Sequence, residues 1–429
     1  MAAAHISHGL YRLSVNLFND TLFEGMWPLP QGCSMNSYVV KGYDVAMVDG
    51  VWGMDPAAPA ALYRQLQGMG SDVGDIRYVV INHAEPDHTG WLKSLLEMTE
   101  RVEIVATEKG VEIARSFYGA DANYRVVHTG DTIDLGKGKI LRFVETPNVH
   151  WPETMVTYEE FTGAVLSCDL FGSFGALGMA MCDDQMSGEQ LGGYEDEALR
   201  YYSNVLAHFS PSVARAIETV KELDPAIIAP AHGPIWRGNP QRIMELYRRF
   251  TSFVDGPAEP VVTVIWGSMY GNTEKAIDPI VRGVTSEGVE AVVHRVPQTH
   301  VSHILASAWR STGIILAMPT YEFKMFPPMA AVLEDLGRKQ VINKLAFRVG
   351  SFGWSGGAQR ELEEIVERQK MKWQFLEPVE FRGDAGVETL DLLKERAAHL
   401  ARAVKERAVC RAAHPYSSPS LDGRGSGGG

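Results

Sequence analysis

Ile81-Asn82-His83-Ala84-Glu85-Pro86-Asp87-His88-Thr89-Gly90 carries four candidate metal ligands within six residues. An extended backbone points His83 and Glu85, two apart, to one side. Pro86 is expected to keep the stretch off a helix, with Asp87 and His88 following on the turn into one. Two imidazoles and two carboxylates this close make poor surface chemistry, because uncompensated like charges repel. The segment follows an apolar strand expected over 78–81. Three more candidates stand at the same place in the pattern: His150 after a strand over 140–145, Asp169 after one over 164–167, and His232 after one over 226–229. In mixed α/β folds such strand ends face a common crevice, where sites collect. Taken singly, His150 and His232 read as ordinary core or loop histidines and Asp169 as a helix cap. The cluster at 83–88 favours the joint reading, and the remaining nine histidines lack such partners.

Four imidazoles and three carboxylates are too many donors for one tetrahedral zinc. They suit two metals that share a carboxylate, and Asp169, from a separate strand end, is the best bridge. The ionised ligands carry about −3 against about +4 for two divalent ions, and a solvent hydroxide brings the site near neutrality, as burial favours. Thiolate-free nitrogen and oxygen ligation fits iron or manganese and does not exclude zinc. The four cysteines (Cys33, Cys168, Cys182, Cys410) contain no CxxC pair and read as small buried thiols.

The chain has 429 residues and a formal net charge of −13. That length fits two domains, and that charge disfavours a nucleic-acid partner. No apolar run approaches a membrane span, and the first residues lack a basic region followed by an apolar core. The expectation is therefore no membrane association and a cytoplasmic protein. The Pro/Gly-containing break over 255–260 marks the boundary, giving domains at 1–254 and 261–409, with a Ser/Pro/Gly-rich tail over 410–429 expected to be disordered. Expected helices cover 57–67, 90–97, 109–117, 194–209 and 213–223. In the second half, strands over 261–266, 291–296, 313–317, 345–351 and 374–381 alternate with helices. That alternation predicts a parallel doubly wound sheet.

Three loops at strand ends define a second candidate site. Gly267-Ser268-Met269-Tyr270-Gly271-Asn272-Thr273 offers small and hydroxyl residues around a phosphate at a helix N-terminus. It is neither a P-loop nor GxGxxG, and its uncharged donors Ser268, Asn272 and Thr273 suit the single phosphate of FMN. By itself the loop reads equally as a strand-to-helix turn. Two further loops, Pro319-Thr320-Tyr321-Glu322-Phe323 and Ser351-Phe352-Gly353-Trp354-Ser355-Gly356, lie where such a sheet binds a flavin. Trp354 can stack on a flat ring and the glycines allow close backbone approach; the alternative for Trp354 is a loop anchor in the core. The expected FMN contacts are Ser268, Met269, Tyr270, Gly271, Asn272, Thr273, Pro319, Thr320, Tyr321, Phe323, Ser351, Phe352, Gly353, Trp354 and Gly356.

His-x-Glu-x-Asp-His with the distant His150, Asp169 and His232 resembles the flavodiiron proteins. So do His150-Trp-Pro-Glu-Thr-Met, Asp169-Leu-Phe-Gly-Ser-Phe-Gly and the three flavin loops. The resemblance runs from about residue 10 to 409. Zinc hydrolases of the same superfamily usually carry a second histidine where this chain has Glu85. The resemblance implies an α/β chain: an N-terminal metallo-β-lactamase-like αββα sandwich followed by a flavodoxin-like doubly wound parallel sheet. It implies one iron on His83, Glu85, His150 and Asp169, and another on Asp87, His88, Asp169 and His232. It further implies FMN, and reduction of dioxygen to water, nitric oxide to nitrous oxide, or both. By position it offers Tyr194 as a hydrogen-bond donor near the pocket, although the residue also reads as an ordinary helix-start tyrosine. A head-to-tail homodimer or homotetramer would bring one subunit's FMN beside another's irons. Electrons are expected from a separate rubredoxin-like protein or a reduced deazaflavin. Two rival readings are a zinc hydrolase fused to a flavodoxin, and an electron carrier with a structural metal site.

Overall fold

The computed structural model describes residues 2–18, 21–52, 57–99, 101–119 and 122–413. The chain divides into two compact units, residues 1–252 and 253–429.

The first unit contains two sheets. One runs in chain order through β1 (Ala4–Ser7), β2 (Leu10–Leu17), β3 (Cys33–Lys41), β4 (Val45–Val48), β5 (Ile76–Val80), β6 (Glu103–Ala106) and β7 (Asn123–Val126). The other contains β8 (Thr132–Asp134), β9 (Ile140–Glu145), β10 (Met155–Glu159), β11 (Ala164–Cys168) and β12 (Ile227–Pro230), in the order β12-β11-β10-β9-β8. Alternation along the strands explains the layering. Val40, Val48, Val80 and Val105 of the first sheet meet Leu141, Phe143, Met155 and Leu166 of the second in one core. Met35, Met47, Val79 and Ile104 turn to the opposite face. There they pack on Leu62 and Leu66 of the helix Ala57–Gly68, and on Leu92, Leu95, Val111 and Ala114 of the next two long helices. Burial of such faces is the main stabilising term, at about 25 cal/mol per Å² of apolar area.

Two local features differ from expectation. Pro86 starts a short helix, Pro86–Thr89, instead of excluding one, because proline at the first helical position loses no hydrogen bond. The helix expected over 194–209 runs from Gly188, capped by Ser187, to Tyr201. It then widens into a π-helical turn, Tyr202–Leu206, in which the Ala207 N–H bonds to the Tyr202 carbonyl five residues back. Side chains of Ser203 and Asn204 take up the Arg200 carbonyl there. A fresh helix, Ser210–Glu222, begins with Pro211 in its first turn.

In the second unit, β13 (Glu259–Trp266), β14 (Glu290–Arg295), β15 (Ser311–Tyr321), β16 (Lys324–Met325), β17 (Leu345–Phe352), β18 (Gln374–Phe375) and β19 (Val379–Arg382) alternate with helices. The parallel order is β14-β13-β15-β17-β18, with β19 also pairing β17. Numbered within the unit this is 2-1-3-4-5, a flavodoxin-like doubly wound sheet. Its central strands are buried on both faces and so read as near-continuous apolar runs, broken in β17 by the buried Arg348, which pairs with Glu380. The strand expected over 374–381 is two short strands, and the last helix spans Val387–Ala413. The helix therefore enters the stretch expected as a disordered tail; residues 414–429 lie outside the described residues.

Candidate functional site

All seven ligand candidates of the first unit converge at the ends of β5, β9, β11 and β12. Glu85 keeps an extended backbone (φ −61°, ψ 144°) and Asp87 and His88 ride on the short helix that follows. Asp169 stands between two sets. Its Oδ2 lies 3.4 Å from His83 Nε2 and 3.3 Å from His150 Nε2, and Glu85 Oε2 lies 3.1 and 3.0 Å from the same nitrogens. Its Oδ1 lies 3.1 Å from His88 Nε2 and 3.3 Å from His232 Nε2, with Asp87 oxygens 3.3 and 3.4 Å away from those rings.

The electrostatics of the cluster call for positive charge. Burial alone would lower the His83 pKa, but hydrogen bonds to Glu153 and Glu85 hold it well above the ordinary value. His150 is likewise opposed by burial, yet the Asp169 and Glu85 carboxylates bring it to about 9. Burial opposes ionisation of Asp169, and the surrounding imidazoles nevertheless depress its pKa. Crowded carboxylates thus draw protons onto neighbouring rings, and divalent cations supply the same charge without them. A second observation agrees. Nε2 of His150 and of His232 and Oδ1 of Asp87 are buried and close to opposite charges, yet make no hydrogen bond. Three converging ligand atoms left without hydrogen bonds fit a metal pair that uses their lone pairs.

The neighbouring shell contains residues that sequence reasoning missed. Glu153 Oε1 accepts from His83 Nδ1 at 2.7 Å and from the Ala84 N–H at 2.9 Å. It also borders a cavity of about 320 Å³ together with Thr107, His128 and Glu145. Its one sequence signal was its place three residues after His150. Phe23 and Tyr201 stand around His232, with ring centroids 5.2 and 5.6 Å from it. Tyr194, expected near the pocket, donates its hydroxyl to the Ala176 carbonyl at 2.8 Å and lays its ring against Gly175. The tyrosine that reaches the cluster is Tyr201. It is fully buried, its hydroxyl has no hydrogen-bond partner among the described residues, and burial together with Asp169 holds its pKa well above the usual range. Cys33, Cys168 and Cys182 are buried. Cys168 also falls within ligand range of His88 and Asp169; burial and the adjacent Asp49 and Asp169 charges keep its thiol protonated.

The His232 loop is pinned from β3. Asn36 Nδ2 donates to the carbonyls of Pro230 and Gly233 at 2.9 and 3.0 Å. Tyr38 Oη donates to Pro230 O, and Ser34 Oγ accepts from the Gly233 N–H. Ser34, Asn36 and Tyr38 share one face of the strand, as alternate residues must.

The second unit holds a cavity of about 610 Å³ at the ends of β13, β15 and β17. Thirteen of the fifteen expected contacts line it; Gly271 and Gly356 do not, and Glu322 and Gly383 join the lining. Thr273 and Ser351 hydroxyls meet at 2.9 Å, tying two loops together. Gly271, at φ +90°, donates its N–H to Ser268 Oγ, a conformation glycine adopts without strain. Among the described residues, Thr320 Oγ1 is buried with no partner, and no lysine or arginine lines the cavity. Trp354 is 77% exposed and packs edge-on to Phe323, so it is not a core anchor. An unpaired hydroxyl, neutral donors and an open aromatic lip fit a flat, singly phosphorylated flavin.

Residues 34–233 match the family described as ODP family beta lactamase. The anaerobic nitric oxide reductase flavorubredoxin of Vibrio vulnificus (strain YJ016) is 34% identical over 362 residues, 82% of this chain and 71% of that protein. The rubredoxin oxygen:oxidoreductase of the anaerobe Desulfovibrio gigas superposes with a TM-score of 0.85 at 27% identity, over 94% of this chain and 99% of that one. The flavodiiron protein of Giardia intestinalis shares the fold, with a TM-score of 0.86 at 24% identity over 96% and 98% of the two chains.

Proposed function

Because the chain belongs to the flavodiiron protein family, we propose that it is an oxidoreductase reducing dioxygen to water, nitric oxide to nitrous oxide, or both, at a di-iron site fed by FMN. The observation that carries this reading is the division of Asp169, one oxygen toward each of two ligand sets. His83, Glu85, His150 and Asp169 would hold one iron; Asp87, His88, Asp169 and His232 would hold the other. Ser268, Asn272, Thr273 and Thr320 would receive the flavin phosphate and its chain, with Trp354 beside the ring. When bound, two irons and one FMN supply four reducing equivalents, the number that converts dioxygen and four protons to two waters; two suffice for two nitric oxide molecules.

This chain's own residues set the conditions for that chemistry. Phe23, Phe174 and Tyr201 form an apolar wall beside His232, which excludes water and strengthens every charge interaction inside. Tyr201, its hydroxyl protonated and without a hydrogen-bond partner among the described residues, would serve as a neutral donor for a bound diatomic. Glu85 disfavours the hydrolase reading, and family membership disfavours a purely structural metal site.

Among the described residues no helix is long and apolar enough to cross a membrane, which supports, with the net charge of −13, a cytoplasmic protein without nucleic-acid partners. We take the electron donor to be a separate rubredoxin-like protein or a reduced deazaflavin, and the assembly to be a head-to-tail homodimer or homotetramer. The test is metal and flavin analysis of the purified protein, then side-by-side rates of dioxygen and nitric oxide consumption after anaerobic reduction. Two irons and one FMN per chain with turnover of either gas is the expected result. Zinc with ester or thioester hydrolysis would overturn the reading.

A further inference from the structure

The seven ligands look symmetrical, but the groups behind them are not. With Nε2 of His83 directed at Glu85 and Asp169, its Nδ1 carries the proton and donates it to Glu153 at 2.7 Å. Glu153 is 3% exposed and is held at both its carboxylate Oε1 and its backbone. The Ala84 N–H donates to the same oxygen, and Thr107 Oγ1 donates to the Glu153 backbone carbonyl at 2.9 Å. Among the described residues no carboxylate hydrogen-bonds a far ring nitrogen of the other set, although the buried Asp49 lies within electrostatic reach of His88. His232 Nδ1 faces only the neutral Ser34 carbonyl at 3.0 Å, with Cys33 Sγ at 3.7 Å. His88 Nδ1 is buried and has no hydrogen-bond partner among the described residues.

We propose that Glu153 is a positioning residue that makes the two irons unequal, an inference that rests on the di-iron reading. A buried carboxylate on the far nitrogen of an imidazole fixes its tautomer and orientation and strengthens it as a donor. It also adds a negative charge close to one metal, on a residue only 3% exposed, whereas the Asp49 charge within reach of His88 is tied to Asn82 and not to the ring. The iron on His83, Glu85 and His150 is therefore held more tightly, and its ferric state is favoured relative to that of its neighbour. The iron on Asp87, His88 and His232 is the more labile and the more readily kept ferrous.

The experiment uses the full chain loaded anaerobically with two irons, in the diferrous state, and follows iron release to an excess of a ferrous chelator. Two phases of equal amplitude are expected, and Asp87→Asn should remove or accelerate the fast one. Glu153→Gln keeps a carbonyl oxygen for both N–H donors and removes only the charge. It should accelerate the slow phase about 10–100-fold, the usual cost of losing such a partner, and leave the fast phase in place. In Mössbauer spectra of the diferrous protein the same variant should shift one of two quadrupole doublets. Glu153→Asp, which keeps the charge, should restore part of the slow phase. Release of both irons in one phase from the unaltered protein overturns the inequality, whether or not any variant folds. Equal acceleration of both phases by Glu153→Gln overturns the role of Glu153. Failure of the chain to take up two irons overturns the di-iron reading itself.

Discussion

Asn36→Ala should destabilise the first unit far more than the loss of one polar side chain ordinarily does. Asn36 is 1% exposed and makes three hydrogen bonds. Its amide group donates to the Pro230 and Gly233 carbonyls, and its Oδ1 accepts from Arg12 Nε at 2.7 Å. Arg12 is itself buried and makes no ion pair among the described residues; burial brings its pKa down to about 10. Each hydrogen bond lost at a carbonyl costs about 1 kcal/mol, although Pro230 keeps its bond from Tyr38, and a buried cation stripped of its acceptor costs about 1.5–3 kcal/mol. The sum is about 3–5 kcal/mol, a large share of the roughly 5–15 kcal/mol that stabilises a domain. Tyr38→Phe is the internal yardstick, since it removes one hydrogen bond to the same Pro230 carbonyl and should cost about 1 kcal/mol. The assay is denaturant unfolding of the metal-free chain, so that metal binding adds nothing to the apparent stability. A loss from Asn36→Ala no larger than that from Tyr38→Phe would refute the argument that this side chain clamps the His232 loop.

Tyr201→Phe keeps the aromatic wall and removes the buried hydroxyl, so iron content should be unchanged while turnover of at least one gas falls several-fold; unchanged rates with both gases would exclude a donor role. Thr320→Val should weaken FMN binding about fivefold, the equivalent of one hydrogen bond of about 1 kcal/mol, as read by flavin fluorescence on titration. Mixing an Asp169→Asn chain with a Trp354→Ala chain should regenerate activity if one subunit's flavin serves another's irons, and no recovery after exchange of subunits would count against the head-to-tail assembly. His294 is pushed down to about 4, first by burial and then by His303. The unfolded chain therefore binds the extra proton between about pH 6.5 and 4, so stability of the second unit should fall as pH is lowered through that window. His294→Gln should flatten the dependence.

How much of this was legible in the sequence depended on how local each signal was. His83, Glu85, Asp87 and His88 announce themselves because four ionisable groups sit within six residues, and the other three ligands follow from their places after apolar runs. The sheet of the second unit was readable because its parallel strands are buried on both faces. β2 was not, since it buries Arg12 and Ser14 among its apolar residues and its polar positions hide the pattern. Tyr194 and Tyr201 are seven residues apart, about two turns, and so share a helix face. Only packing against Gly175 in one case and His232 in the other tells them apart. Glu153 acts on a residue 70 positions away, a relation no periodicity encodes.

The π-helical turn at Tyr202–Leu206 makes the side wall of the metal pocket a matter of counting. Such a turn holds one residue more than an α-helix needs. Deleting any one of the five would let the helix close up and swing everything on its Ser187 side by about 100° about the axis. Tyr201 would leave His232, and Arg200 would leave the Phe174 ring it now covers at 4.4 Å. Identity can change in this segment only in kind, since all five side chains are buried and Tyr202 packs on Tyr247 and Phe250. Length cannot. The spacing between the Ser187 cap and Pro211 works as a vernier, and its setting aims the tyrosine.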